Sequence, residues 1–188
     1  LSAFVGGDIT AGILASGMLE QEASTLLIDL GTNGEMALGN RHRLHACATA
    51  AGPAFEGGAN RGIWGADMVR LLQKLLEEGL MDGQGLLKEP YFTKGVRIGD
   101  VLVTKESVRA VQLAKGAIAA GIEILADSYG IRFSDISKVV LAGGFGYYLD
   151  PKAAVAIGLL PKELADRTVT GGNTALSGAA MVGSRILT

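Results

Sequence analysis

The stretch from residue 25 to residue 39, TLLIDLGTNGEMALG, constrains the fold of this 188-residue chain more than any other segment. A run of strand-forming aliphatic residues includes the acid Asp29, a short polar segment follows, and a second apolar run ends at Gly39. Asn33-Gly34 is the strongest short-range hairpin signal, because both residues accept the positive φ of a type I′ turn. The stretch therefore predicts two antiparallel strands closed by a two-residue turn at Asn33 and Gly34.

The tip of this predicted hairpin has the chemistry of a phosphate site. Backbone N–H groups and one hydroxyl are available there to a phosphate oxygen, from Gly31, Thr32, Asn33 and Gly34. Asp29 and Glu35 flank the tip, and two carboxylates repel a phosphate unless a cation such as Mg²⁺ lies between them. The pattern predicts a metal–nucleotide site, and an ordinary hairpin whose acids face water is the alternative. No GxxxxGK[ST] motif occurs, so the site is not a P-loop.

The rest of the chain alternates helical and strand patterns, which predicts an α/β fold. Asp8 is the predicted N-cap of a short first helix, and RHRLHACATA after the hairpin predicts a third strand. Apolar periodicity predicts helices over 66–78 and over about 105–129. The order is completed by a buried strand over 138–142, a helix over 151–157, a strand at 167–169 and a helix from Asn173 to about Leu187. We expect a mixed sheet flanked by helices.

The long predicted helix contains two glycines, Gly116 and Gly121. Each costs about 1 kcal/mol relative to alanine in a helix interior. Close approach of another backbone or of a ligand is the usual compensation, so we expect such an approach at these positions.

A second candidate site follows the buried strand KVVLA, which ends in Gly143-Gly144. Open α/β sheets bind ligands at the carboxyl ends of their strands. Because glycine has no side chain, a flat ring of a ligand could lie against the bare backbone of these two residues. The alternative explanation for the glycines is a tight turn that needs positive φ. The segment 171–173, Gly-Gly-Asn, also has two interpretations: an anion site made of N–H groups or a capped turn.

Composition and charge argue against several classes of partner. The net charge is −2, the pI is near 5.7 and no basic cluster occurs, which argues against nucleic acid and anionic membranes. Trp64, Tyr147 and Tyr148 lack the basic neighbours of a nucleic-acid-binding face. No apolar run approaches the roughly 18 residues that span a bilayer. The single cysteine, Cys47, excludes an intrachain disulfide and a four-thiolate iron–sulfur site within these residues, and it favours a reducing cytoplasm.

Five motifs, in chain order, resemble the C-terminal domain of reductive activators of corrinoid-dependent enzymes: DLGTNGE, ACATAAGPAFEGG, VQLAKGAIAAGIEIL, VVLAGGFG and GGNTALSGA. Those activators are iron–sulfur proteins whose large domain resembles the actin-like ATPase (ASKHA) superfamily, in which two RNase H-like lobes close over a nucleotide. The resemblance covers nearly the whole chain. It implies that residues 1–188 form a single domain, the second of the two lobes.

By this resemblance, DLGTNGE is the second phosphate motif and LAGGFG is the adenosine motif. The implied nucleotide-binding residues are Asp29, Gly31, Thr32, Asn33, Gly34 and Glu35 in the first motif and Gly143, Gly144 and Phe145 in the second. Phe145 either packs near the base or fills the core. The implied cofactor is ATP with Mg²⁺, which Asp29 holds through water, and no catalytic residue is implied.

The resemblance also implies a function for the parent protein, the return of an inactive Co(II) corrinoid protein to Co(I) by a weak ATPase. The implied partner is a corrinoid protein or a methyltransferase, and a homodimer is left open. Two other functions stay open: a lobe of a small-molecule kinase acting on acetate- or sugar-like substrates, and a non-catalytic dimerisation or docking module.

The sequence departs from this family pattern in two ways. The first-lobe phosphate motif and the ferredoxin-type cysteines are absent, and the first residue is Leu1, not methionine. We therefore expect a fragment of a longer iron–sulfur protein, with half of the phosphate cage and little hydrolysis of its own. The region between Glu56 and Ala66 is short beside the family pattern, and the role of Glu56, like that of Cys47, is left open.

Overall fold

The computed structural model of this chain describes residues 5–55 and 65–186. The strands are β1 (Thr25–Leu30), β2 (Gly34–Gly39), β3 (Leu44–Thr49), β4 (Val96–Ile98), β5 (Val101–Val103), β6 (Lys138–Ala142) and β7 (Thr168–Gly172). Five of them form one sheet in the order β3-β2-β1-β6-β7, and β4 pairs with β5 separately. β1 runs antiparallel to β2 and parallel to β6, which confirms the predicted mixed sheet.

The α-helices are α1 (Gly7–Ser16), α2 (Gly65–Glu77), α3 (Tyr91–Lys94), α4 (Lys105–Tyr129), α5 (Gly143–Gly146), α6 (Pro151–Ala156) and α7 (Thr174–Ile186). Single 3₁₀ segments lie at Met18–Glu20, Pro53–Phe55, Phe133–Asp135 and Lys162–Arg167. The two amphipathic helices predicted over 66–78 and 105–129 are confirmed as α2 and α4. In the described part of the chain, no helix is both long and apolar enough to traverse a bilayer.

Helices cover both faces of the sheet. Successive residues of its central strand, β1, point to opposite sides, so they contribute to two separate hydrophobic clusters. Leu26 and Ile28 of β1 belong to the larger core, which α2, α4 and α6 complete. Leu27, on the opposite face, packs with Ile9 and Ile13 of α1. Strand β1 is therefore buried on both faces, which explains its nearly continuous run of aliphatic residues.

Helix α7 packs directly on α1. A Cβ atom at Gly178 of α7 would overlap the backbone of Ala11 in α1, so the two helices cross without room for a methyl group. A Cβ at Gly12 would lie 2.9 Å from the hydroxyl oxygen of Thr174. That hydroxyl is buried and has no hydrogen-bond partner among the described residues.

The predicted hairpin is confirmed, but the predicted turn is wrong. Leu30 pairs with Gly34, so the loop has three residues, 31–33, and the N–H of Gly31 donates to the carbonyl of Asn33 at 3.1 Å. Gly34 does not have a positive φ. A Cβ there would lie 2.7 Å from Thr49 Oγ1 and 3.3 Å from Ile118 Cγ1. Glycine is required at this position for close packing of β2, and not for a type I′ turn.

The predicted N-cap of α1 is also wrong. Gly6, with extended backbone angles, holds the N-cap position, and Asp8 lies in the first helical turn. A carboxylate in the first turn interacts favourably with the positive end of the helix. Asp8 therefore stabilises the same helix end by a different contact.

Candidate functional site

Four segments of the chain meet at one edge of the main sheet. Strands β1, β3, β6 and β7 run in the same direction, so their carboxyl ends lie together. The hairpin loop 31–33 follows β1, the segment 50–55 follows β3, Gly143-Gly144 follows β6, and Gly171-Gly172 ends β7. The motifs singled out in the sequence are thus brought to a single edge.

Gly143 holds the end of β6 against the base of the hairpin. Its φ is +83°, in the left-handed region that favours glycine. A Cβ at this position would lie 2.7 Å from the carbonyl oxygen of Leu30 and closer still to Asp29 Oδ1. The tight-turn interpretation of Gly143 is therefore confirmed, and the same turn places bare backbone beside Asp29.

Gly144 and Gly31 differ from Gly143, because each faces open space. No atom lies within 4 Å of a Cβ built at Gly144, and the nearest atom to one at Gly31 is the carbonyl oxygen of Asn33 at 3.7 Å. Both glycines are exposed. Backbone that is free of side chains and open on one side can approach a ligand closely.

Three acidic residues lie near the loop. Asp29 and Glu35 are direct partners in the β1–β2 ladder, and Glu35 Oε1 accepts a hydrogen bond of 2.9 Å from the N–H of Gly6. Burial raises the pKa of the Asp29 carboxyl, and the negative charges of Asp8 and Glu35 raise it further. A positively charged ion near Asp29 would relieve this repulsion.

Within the described residues, no group of three or more His, Cys, Asp or Glu side chains is placed to ligate a metal ion. The predicted contact of Asp29 with Mg²⁺ runs through water and does not need such a group. It stays a prediction.

Phe145 lies mostly in the core. Its ring stacks on that of Phe55, with centroids 4.2 Å apart and an angle of 7° between the planes, and 9% of the residue is exposed. Of the two roles left open for Phe145, the structure therefore favours filling the core over packing near the nucleotide base. The stacked pair ties the segment after β3 to the segment after β6.

The turn before α7 is a capped turn. Asn173 Oδ1 accepts a hydrogen bond of 2.9 Å from the N–H of Leu176, and Gly172 has a φ of +68°. This confirms Asn173 as the cap of the last helix. The alternative of an anion site at these residues has no support beyond the helix end itself.

The sequence leaves the role of Cys47 open, and its surroundings in the structure are those of an unreactive thiol. It is half-buried in β3, and burial raises the pKa of its thiol. Its sulfur lies 3.9 Å from the carbonyl oxygen of Gly121. A raised pKa disfavours the reactive thiolate.

Sequence reasoning missed two residues at this edge, Tyr147 and Tyr148. They follow α5 directly and are 53% and 64% exposed. The carbonyl of Tyr148 accepts a hydrogen bond of 3.2 Å from Arg70 Nη2 of α2. Their signal in the sequence is their position, three and four residues after the open Gly144. Glu56 and Trp64 lie outside the described residues.

Comparison with known families gives a match over most of the chain. The family described as the C-terminal domain of RACo, the ASKHA domain, matches residues 23–61 and 58–185. The corrinoid activation enzyme RamQ of Eubacterium limosum is 34% identical over 238 residues, which cover 96% of this chain and 40% of the relative. The Co(II) methylated amine-specific corrinoid protein reductase of Methanosarcina barkeri is 26% identical over 223 residues, which cover 92% of this chain and 41% of the relative.

Among solved structures, a reductive activator for a corrinoid, iron–sulfur protein superposes with a TM-score of 0.86 at 31% identity. The match covers 96% of this chain and 37% of that one. The chain therefore spans about 40% of the length of these three similar proteins.

The alignments also show that the relatives have positions that this chain lacks. The alignment with the E. limosum relative has 238 positions, 50 more than the 188 residues of this chain. At least that many positions of the relative have no counterpart here. The family match divides at residues 58–61, inside the short region between Glu56 and Ala66.

Proposed function

This chain belongs to the family of C-terminal ASKHA domains of RACo, and from that premise we propose that it is the nucleotide-binding second lobe of an ATP-dependent reductive activator of corrinoid proteins. The relatives named above activate or reduce corrinoid proteins, as their names state. The activity of the longer protein, its substrate and its partner are parts of this proposal.

The observation that carries the proposal is the contact of Gly143 with Leu30 and Asp29. It sets the exposed loop 31–33 beside the open backbone of Gly144. A nucleotide can use both features, because its phosphates bind N–H groups and its flat base can pack against backbone without side chains. The residues present therefore fit a Mg-nucleotide.

Each part of this edge has a distinct role in the proposal. The N–H groups of loop 31–33 bind a phosphate, and Asp29 orients Mg²⁺ through water. The raised pKa of Asp29 reflects a carboxylate that is poorly solvated and lies among other negative charges, so a bound cation is favoured there. When bound, Mg-ATP supplies the free energy of nucleotide binding and hydrolysis.

Coupling is the function of such a lobe in an activator. The proposed reaction of the longer protein reduces a Co(II) corrinoid to Co(I) with an electron from an iron–sulfur domain outside this sequence. A nucleotide that changes the affinity for the corrinoid partner can drive an unfavourable reduction, because the two binding free energies are linked. The single half-buried cysteine suits a protein of the reducing cytoplasm.

ATP turnover by the longer protein that carries this lobe, measured with and without a corrinoid protein, tests the proposal. Stimulation by the corrinoid protein supports an activator, and turnover that depends on acetate or a sugar supports a kinase lobe instead. A protein that neither binds nor hydrolyses Mg-ATP would be a docking module, and the proposal would be wrong.

A further inference from the structure

Two adjacent aromatic side chains, shortly after the glycine pair in the chain, are exposed. Tyr147 and Tyr148 are 53% and 64% exposed, although an aromatic ring gains most from burial. Their rings meet edge to face, with centroids 4.8 Å apart and an angle of 84° between the planes. Gly144, three residues before Tyr147, has no atom within 4 Å of the position of a Cβ.

Backbone contacts fix both tyrosines in place. The N–H of Tyr147 donates to the carbonyl of Gly143 at 3.2 Å, and its ring lies 3.6 Å from the position that a Cβ at Gly172 would occupy. The carbonyl of Tyr148 accepts from Arg70, whose guanidinium also bonds to Asp67 Oδ1 at 3.2 Å. The pair is therefore anchored between the end of β6, the end of β7 and helix α2.

We propose that Tyr147 and Tyr148 form an aromatic platform that stacks on the base of the bound nucleotide. This inference rests on the proposed function, and it adds the residues that recognise the base as distinct from those that bind phosphate. Stacking on an aromatic ring suits any flat heteroaromatic base. The platform follows Gly144 in the chain, and the ring of Tyr147 lies beside Gly172 at the end of β7, on the same edge of the sheet.

Charge separates the platform from the phosphate subsite. Asp29 and Glu35, the acids of the phosphate subsite, lie on the hairpin side of Gly143. The platform itself presents two neutral phenols, and the guanidinium of Arg70 is engaged with the Tyr148 carbonyl and with Asp67. A neutral base is the part of a nucleotide that such a surface recognises.

The test compares Mg-ATP with Mg-tripolyphosphate, which carries the phosphates and lacks the base. Binding to the chain and to its Tyr147→Leu/Tyr148→Leu variant is measured by ligand-observed NMR, which detects weak binding. We expect the variant to bind Mg-ATP about tenfold more weakly, the loss of roughly one stacking contact. Its affinity for Mg-tripolyphosphate stays unchanged.

Phe92→Leu is the matched control, because Phe92 is an exposed aromatic residue on α3, outside the edge that carries the site. It should leave both affinities unchanged, and thermal unfolding checks that every variant is folded. Equal affinity of the tyrosine variant and the unmodified chain for Mg-ATP overturns the platform and leaves the proposed function standing. An equal loss of both ligands in the variant also overturns the platform. If the longer protein that carries this lobe also binds neither ligand, the proposed function itself is overturned.

Discussion

At the scale of single residues, the carboxylate of Asp29 is unfavourable for folding but suited to the proposed binding of a cation. Burial raises the pKa of its carboxyl, with further contributions from Asp8 and Glu35. The folded state thus binds this proton more tightly than the unfolded chain does. The resulting stability is fully present below the ordinary aspartate pKa and is lost as the pH rises through the folded value. At neutral pH the ionised carboxylate opposes folding, and a bound cation is a physical reason for retaining it.

Replacing Asp29 by asparagine separates the two effects. Without metal, we expect Asp29→Asn to unfold at a higher urea concentration than the unmodified chain at about pH 7, because a buried charge is removed. The difference should shrink as the pH falls towards the ordinary aspartate pKa, because the raised pKa makes the carboxyl neutral at a higher pH in the folded state than in the unfolded chain. The same variant should lose Mg-nucleotide binding. Unfolding curves with no pH-dependent difference between the two proteins would contradict the assignment of the buried charge.

Gly143 and Gly144 are neighbours with opposite requirements. Gly143→Ala should lower the free energy of unfolding by about 2 kcal/mol or more, since it forces a side chain into the left-handed region and against Leu30. Gly144→Ala should change it by less than about 0.5 kcal/mol, because the added methyl meets open space. Urea denaturation of both variants measures the contrast. Similar losses in the two would mean that the turn is not built as described.

Some site residues follow from local sequence, and others do not. The glycine pair was identified because glycine after a buried strand is a local signal. The burial of Phe145 could not be read in the same way, because its partner, Phe55, is distant in sequence. The sequence marks Tyr147 and Tyr148 only as aromatic residues without basic neighbours, because exposure at a sheet edge is a property of the folded chain.

At the scale of elements, the hairpin and helix α4 show what periodicity leaves undetermined. Alternation and apolar runs located both elements, since those patterns reflect which face is buried. The predicted turn at Asn33-Gly34 is wrong because Gly34 is required for close packing against Thr49 and Ile118, which are remote in sequence. A local rule cannot distinguish a glycine needed for φ from one needed for space.

The same distinction divides the two glycines of α4. A Cβ at Gly121 would lie 2.7 Å from Thr49 Cγ2 and nearer still to Met36 Cε, so the expected close packing is present there. No atom lies within 4 Å of a Cβ at Gly116, which is exposed. The close approach expected at both positions is therefore found, among the described residues, at Gly121 alone.

We expect Gly116→Ala to raise the free energy of unfolding by about 1 kcal/mol, the difference in helix propensity between the two residues. Gly121→Ala should lower it by about 1–3 kcal/mol, because an extra methyl overpacks the contact of α4 with β2 and β3. Thermal unfolding of the two variants measures whether their free energies of unfolding change in opposite directions, as expected. A destabilising Gly116→Ala would point to a contact at Gly116 outside the described residues.

At the scale of the whole molecule, the mixed sheet and its helical layers were predictable because element order restricts topology. The length of the relatives was not predictable from composition. This chain covers about 40% of each. The edge that gathers the hairpin loop and the glycine turns lies within these residues, whereas the first-lobe phosphate motif of the family pattern is absent from the sequence.

The isolated chain should therefore bind Mg-ATP at least about tenfold more weakly than a longer protein that also carries the upstream lobe, since fewer groups contact the phosphates. Isothermal titration calorimetry of both proteins measures this ratio. Equally tight binding by the isolated chain would show that one lobe suffices.

The crossing of α1 and α7, where Gly178 contacts Ala11 without room for a methyl group, has a consequence for how the protein is made. More than 160 positions of sequence separate the two contacting residues. During synthesis, the outer side of α1 lacks its neighbour until the residues of α7 have left the ribosome. Non-local pairings of this kind slow folding and leave apolar surface uncovered in the meantime. Nascent chains stalled before Thr174 should be the species that chaperones recognise.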